Sequence, residues 1–175
     1  RKSADFLEKL GVPAFKVASC DLNNLPLLDH LSKKSLPLLI STGYASWQEI
    51  EKTYQFLKER KVDFVFLHCI SAYPSLPSQM NVKTIKAFAE SFYCPLGLSD
   101  HSLDVESVPS TARSLGACVF EKHFTLDQSM EGFDHAMSVT PEGFKSMLDS
   151  IRTTECILGG VRGESFLSEN KKKEG

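Results

Sequence analysis

Two histidines stand at the ends of two consecutive strand-like runs. His101 closes Pro95-Leu96-Gly97-Leu98-Ser99-Asp100-His101, and His123 closes Ala117-Cys118-Val119-Phe120-Glu121-Lys122-His123. A helical segment of about a dozen residues separates the two runs. Successive strands of β-α-β units are usually neighbours. Neighbouring strands lie about 4.8 Å apart. Imidazoles leaving the same ends of such strands can reach one metal ion, with bonds of about 2.0–2.1 Å if it is zinc. The plainer alternative is two core or surface histidines with satisfied hydrogen bonds.

Other side chains of useful chemistry recur at equivalent places. Lys16 interrupts the apolar run Ala14-Phe15-Lys16-Val17-Ala18-Ser19. Burying a bare ammonium is costly, so it needs a carboxylate partner or an anionic ligand such as a phosphate. Ser19, Ser41 and Ser99 add hydroxyl donors near strand ends, and Ser41-Thr42-Gly43 offers backbone N–H groups that can cradle an anion. Asp134-His135 sits in a loop after the last strand, where a substrate hydroxyl could be held. Tyr73-Pro74 can wall a pocket after the third strand. For His68-Cys69, packing or hydrogen bonding is the expected role.

Five apolar runs must position these groups: Ala14–Ser19, Pro37–Thr42, Phe64–Cys69, Pro95–Asp100 and Ala117–His123. They are near-continuous rather than alternating, as strands of a parallel sheet covered on both faces are. Ser46 and Glu49 form a capping box ahead of Trp47, Ile50, Tyr54 and Leu57. Asn81 is expected to cap a helix burying Val82, Ile85, Phe88 and Ala89. Thr140-Pro141-Glu142 starts another helix, with Phe144, Met147, Leu148 and Ile151 inward, and Gly159-Gly160 stops it. Weaker helices fill Leu25–Lys33 and Pro109–Leu115.

The strand ends fall near residues 19, 42, 69, 100 and 123. A (β/α)8 barrel uses roughly 30 residues per unit. The pattern therefore predicts an α/β fold made of five units of a TIM barrel, incomplete in this chain. Residues 1–160 form that partial barrel and 161–175 a polar linker or tail. An open doubly wound sheet also binds ligands beyond its strand ends, but it lacks support here without a Gly-x-Gly-x-x-Gly or Walker loop.

Composition narrows the function classes. The 175 residues suffice for one core. Twenty Lys+Arg against 22 Asp+Glu leave a net charge of −2, which gives no broad basic field for nucleic acid or anionic membrane. No apolar run approaches the ~20 residues of a membrane span. Five scattered cysteines without Cys-x-x-Cys predict a reduced, cytoplasmic protein. The start at Arg1, with no signal peptide in view, suggests a piece of a longer chain.

Several strings together resemble the N-acetylneuraminate (sialic acid) synthase family. They are Lys16-Val17-Ala18-Ser19, Asn24-Leu25-Pro26-Leu27-Leu28, Ile40-Ser41-Thr42-Gly43, His68-Cys69, Ser71-Ala72-Tyr73-Pro74 and Gly97-Leu98-Ser99-Asp100-His101-Ser102. Leu115-Gly116-Ala117, Glu121-Lys122-His123-Phe124-Thr125-Leu126-Asp127 and Gly132-Phe133-Asp134-His135 complete the set. Legionaminate, pseudaminate and spore-coat polysaccharide synthases look similar. The resemblance implies a TIM barrel whose C-terminal five units are present. It implies a transferase that condenses phosphoenolpyruvate with an N-acylated amino-sugar aldehyde of the N-acetylmannosamine type. The products are a sialic-acid-like nine-carbon 2-keto acid and phosphate.

The same resemblance implies a divalent metal, Mn2+ by preference with Mg2+ or Co2+ as substitutes, on His101 and His123. It places Lys16, Ser19, Ser41 and Ser99 on phosphoenolpyruvate, Ser71 near it, Tyr73 in the substrate pocket and Asp134 on the acceptor sugar. It further implies a homodimeric parent with an antifreeze-like domain after the barrel. Asp104 stands where the family usually has glycine, and Phe133 where proline is common. Two other readings compete. One is a catalytically inactive half-barrel that only binds or assembles with a partner. The other is a metal-dependent hydrolase, which would want a His-x-His on an early strand, and none occurs.

Overall fold

A computed structural model describes residues 1–160. The expected tail at 161–175 lies outside the described residues. Helix α1 (Lys2–Lys9) leads into β1 (Phe15–Val17). Four more units follow: α2 (Leu25–Ser32) with β2 (Leu38–Ser41), α3 (Trp47–Glu59) with β3 (Phe64–Cys69), α4 (Thr84–Ser91) with β4 (Leu96–Asp100), and α5 (Ser107–Ser114) with β5 (Val119–Lys122). Helix α6 (Pro141–Leu158) closes the described chain. The five strands are all parallel and stand in sequence order, β1-β2-β3-β4-β5, as a half-barrel.

Alternation along the strands sends successive side chains to opposite faces. Phe15, Val17, Leu38, Ile40, Phe64, Phe66, Leu96 and Leu98 form the outer face. They pack with Leu28, Leu31, Ile50, Leu57, Ile85, Phe88, Val108 and Ala112 from the helices into one core. Burying each large side chain of this kind contributes about 1.5–3 kcal/mol. The register places Ser41 beside Leu67, and Cys69 beside Ser99 beside Glu121, on the concave face. One face of the sheet thus makes the core, and the other is left for chemistry.

Local signals explain the boundaries. Ser46 and Glu49 make the reciprocal capping box at the start of α3. Thr140 caps α6 through the Gly143 N–H, and Gly159 ends that helix at φ 53°. Asn81 does not act as the expected cap. It takes a positive φ of 44°, its side chain donates to the Gln79 carbonyl, and α4 begins at Thr84. Asn tolerates this left-handed conformation better than most residues, so it serves the turn rather than the helix. Ile85 and Phe88 are buried as expected, whereas Ala89 is exposed. Helix α1 is amphipathic, yet of its apolar residues only Ala4 is buried. Its Asp5 and Glu8 instead dock on Lys34, and Asp5 also reaches His30.

Candidate active site

A cavity of about 450 Å³ opens at the C-terminal ends of the strands. Lys16, Ser19, Ser41, Tyr73, Ser99, His101 and His123 all line it. Seven residues separated by up to 107 positions in sequence (123 − 16) meet there. Ser71 is not among the lining residues; its hydroxyl is 3.9 Å from Sγ of Cys69, which is. Asp134 is not part of the cavity wall; its carboxylate sits 3.6 Å from His123 Nδ1 and is more than half exposed.

The two histidine rings lie 5.2 Å apart, centroid to centroid. Tyr73 packs against both, at 4.3 Å from His101 and 6.1 Å from His123. His101 Nδ1 is 3.0 Å from the Ile70 carbonyl. A carbonyl can only accept, so Nδ1 carries the proton and Nε2 is the nitrogen left for a ligand. Burial pulls the His101 pKa down. Bonds to Cys69 Sγ and the Ile70 carbonyl outweigh it and leave the pKa above its ordinary value. Cys69 answers in the opposite direction. Burial pushes its thiol up, but His101 and Ser19 beside it bring the pKa below the usual value.

On the floor of the cavity Glu121 joins three strands. Its carboxylate accepts from Ser99 Oγ at 2.7 Å and faces Lys16 Nζ at 3.5 Å. Both readings of Lys16 therefore meet in one place: it has a carboxylate partner and it lines the cavity. Its ammonium also donates to the Val17 carbonyl at 3.0 Å. Ser41 Oγ is buried and, among the described residues, has no hydrogen-bond partner. An unpartnered buried hydroxyl is uncommon, and a ligand oxygen is one way to satisfy it. Ser19 Oγ accepts the Gly43 N–H at 2.9 Å. A Cβ at Gly43 would overlap Ser71 Oγ, Cys69 Sγ and Ser19 Oγ, so only glycine lets these three side chains converge.

The chain spacing marked Glu121 and Lys122 only as neighbours of His123. Strand alternation is the signal that separates them: Glu121 shares the inner face with His123, and Lys122 points the other way. Lys122 Nζ donates to Asp100 Oδ2 at 2.6 Å, the Ser102 carbonyl at 2.7 Å and the Asp104 carbonyl at 3.0 Å. His68 also faces outward. It contacts the Met80 carbonyl at 2.7 Å, and burial, partly offset by that carbonyl, holds its pKa below the ordinary value. Asp104, the departure noted in the sequence, accepts from the N–H groups of Glu106 and Val108 and so starts α5. Phe133, the other departure, is fully exposed.

Residues 1–163 match the NeuB family. The chain belongs to that family. Over 175 residues it is 42% identical to an N,N'-diacetyllegionaminic acid synthase of Legionella pneumophila, covering 97% of this chain and 48% of that protein. It is 38% identical over 158 residues to the human N-acetylneuraminate-9-phosphate synthase, covering 90% of this chain and 44% of that one. The fold matches the crystal structure of an N-acetylneuraminic acid synthetase from Leptospira borgpetersenii in complex with citrate. There the TM-score is 0.87 at 31% identity, over 98% of this chain and 61% of that chain. The chain spans about half the length of the curated relatives it matches. This NeuB-family chain has no helix, among the described residues, long and apolar enough to cross a membrane. Its five cysteines are all free thiols.

Proposed function

We propose that this chain supplies the C-terminal five units of a TIM-barrel synthase. The whole enzyme condenses phosphoenolpyruvate with an N-acylated amino-sugar aldehyde, releasing phosphate and a 2-keto acid of the sialic acid type. The observation that carries the reading is the convergence on one cavity of an ammonium, three serine hydroxyls and two imidazoles from the ends of β1, β2, β4 and β5, with Cys69 and Tyr73 added from β3 and its loop. Family membership supports the reaction class. The acceptor belongs to the class of N-acylated amino sugars, as the relatives bear the names of more than one sugar acid synthase.

The donor set fits a divalent metal at an open site. His101 presents Nε2 with its other nitrogen fixed on a carbonyl, as the ring of a metal ligand usually is. His123 has a carboxylate 3.6 Å from its own Nδ1. Among the described residues no group of three or more His, Cys, Asp or Glu converges as a complete cage, so water, substrate or further chain would fill the other positions. Imidazoles tolerate several first-row metals; Mn2+ is the choice the family resemblance favours, with Mg2+ or Co2+ as substitutes. When bound, such a cation polarises the aldehyde oxygen as a Lewis acid.

The chain's own residues do the positioning. Lys16 and Ser41 hold the phosphate, with Ser19, Ser99 and Ser71 around it, and the ammonium exchanges part of its pairing with Glu121 for the ligand. Tyr73 closes the wall beside both imidazoles, and Asp134 takes an acceptor hydroxyl. In this geometry C3 of phosphoenolpyruvate forms a bond to the aldehyde carbon. Water adds at C2, and the C2–O bond to phosphate breaks. Much of the barrier reduction is positioning. The parent is a homodimer in a reducing, cytoplasmic setting, which five free thiols suit.

A second reading concerns this polypeptide by itself: an inactive half-barrel. Among the described residues, strands β1 and β5 end the sheet with no further strand paired outside them, and such edges invite pairing with another chain. Phosphate release from phosphoenolpyruvate, N-acetylmannosamine and Mn2+ is the test. The complete parent turns over and the 175-residue chain does not. Turnover of about 1 per second or more from the chain without a partner overturns the need for the remaining strands. His101→Ala and His123→Ala in the parent lose metal; retained metal affinity in both removes the site assignment.

A further inference from the structure

Behind the two histidines, on the opposite face of the sheet, lies a second ionic cluster that the reaction above does not use. Asp100 and Lys122 are paired across β4 and β5 in the last rung of the ladder. The next residues along these strands are His101 and His123. The pair is almost wholly enclosed, with 3% and 2% of the side chains exposed. Every proton of the ammonium has an acceptor: Asp100 Oδ2 and the carbonyls of Ser102 and Asp104. The other Asp100 oxygen accepts the Ser102 N–H at 2.8 Å, so the carboxylate spans His101 from behind. The chain over 100–104 is thereby wrapped around one nitrogen carried by the strand that ends in His123.

We propose that the Asp100–Lys122 pair is a positioning device that sets the separation and direction of the His101 and His123 rings. The relevance to metal rests on the functional reading above; the geometry of the rings does not. An open strand end has few backbone partners to hold it. Here, among the described residues, the His101 carbonyl accepts from Ser75 N–H and the His123 carbonyl from Val139 N–H, and the ladder joining β4 to β5 ends at Asp100 and Lys122, with no rung between His101 and His123. The buried pair adds a side-chain tie to the last backbone rung, one residue before each ligand. A lysine is suited to the task because three donors on a single atom can collect three acceptors from one turn of chain.

The test uses the 175-residue chain, the variants Lys122→Met, Lys122→Arg and Asp100→Asn/Lys122→Met, and two measurements. The first is the nuclear Overhauser contact between the rings of Tyr73 and His101, which needs no metal. The second is Mn2+ titration by calorimetry. In Lys122→Met the ring contact is lost and Mn2+ binds about 10–100-fold more weakly, the usual effect of removing support from a ligand. Lys122→Arg keeps the charge and recovers part of both. The double variant leaves no bare buried charge; it folds, and it still lacks the ring contact. Native ring contacts in a folded Lys122→Met or double variant overturn the proposal. Failure of the double variant to fold also overturns it, because the pair then serves general stability. If the original chain shows the ring contact but no Mn2+ binding, the metal reading fails while the ring comparison still decides this one.

Discussion

Two ion pairs use adjacent residues of β5 and point to opposite faces of the sheet. Lys122 with Asp100 lies on the outer face at 2.6 Å and is enclosed. Glu121 with Lys16 lies on the inner face at 3.5 Å, with 40% and 33% of the side chains exposed. The first has every donor answered by the protein and nothing left for a ligand. The second is looser and partly exposed, and shares its cavity with an unpartnered hydroxyl. The contrast teaches that charge alone does not mark a site: the pair with unfinished contacts borders the cavity, and the finished pair holds the scaffold.

Breaking each pair should separate them most clearly in stability. Lys122→Met leaves a bare carboxylate in the core, and removal of one partner from a buried pair costs about 3–5 kcal/mol. Lys16→Met removes a partly exposed pair and should cost at most about 1 kcal/mol. Urea unfolding of both variants compares them directly; equal losses would erase the distinction between the two faces.

Ligand binding should rank the same residues in reverse. In the complete enzyme, Lys16→Ala should weaken phosphoenolpyruvate by about 1.5–3 kcal/mol, the range for a hydrogen bond to a charged group. Asp134→Ala should act mainly on the acceptor sugar. Steady-state kinetics with each substrate varied in turn checks both, and a reversed pattern refutes the assignment. Gly43→Ala sharpens the picture of the inner face. Its methyl group would displace Ser19, Cys69 or Ser71, with an overpacking cost of about 1–3 kcal/mol. Thermal melting and phosphoenolpyruvate affinity should fall together.

The smallest expected effect is a pH dependence on the outer face. Burial lowers the pKa of His68 in the folded state, while the unfolded chain keeps a value near 6.5. Between these values the unfolded state binds more protons, so stability rises with pH there. The contribution of neutral His68 is fully present above about 6.5 and is lost as pH falls toward the lowered folded value. His68→Gln should flatten this part of the stability–pH curve in denaturant titrations between pH 5 and 7 (about the range spanned by ordinary histidine values). An unchanged slope would mean that the ring is not held neutral by the core.

Much of the architecture was legible because it is local or periodic. The five apolar runs, the Ser46–Glu49 box, the Thr140 cap and the Gly159 stop all became elements close to their expected bounds. Strand-end position marks Ser19, Ser41, Ser99, His101 and His123, a charge inside an apolar run marks Lys16, and these meet in one cavity. Asn81 misled because a residue that can cap a helix can also take a left-handed turn, and the choice depends on the loop it closes. Helix α1 is absent from the sequence reading; in the fold it contributes Ala4 to the core and docks through charge pairs to Lys34.

What the sequence by itself determined is which residue types end each strand and in what order, since hydrophobic period and capping are properties of neighbours in the chain. Only the tertiary structure decided what those residues meet. The parallel register turned Glu121 toward Lys16 and Ser99, and Lys122 toward Asp100. It left Ser41 without a partner and brought the histidine rings to 5.2 Å. The physical reason is that a side chain's face follows from strand pairing, and pairing joins residues far apart in sequence.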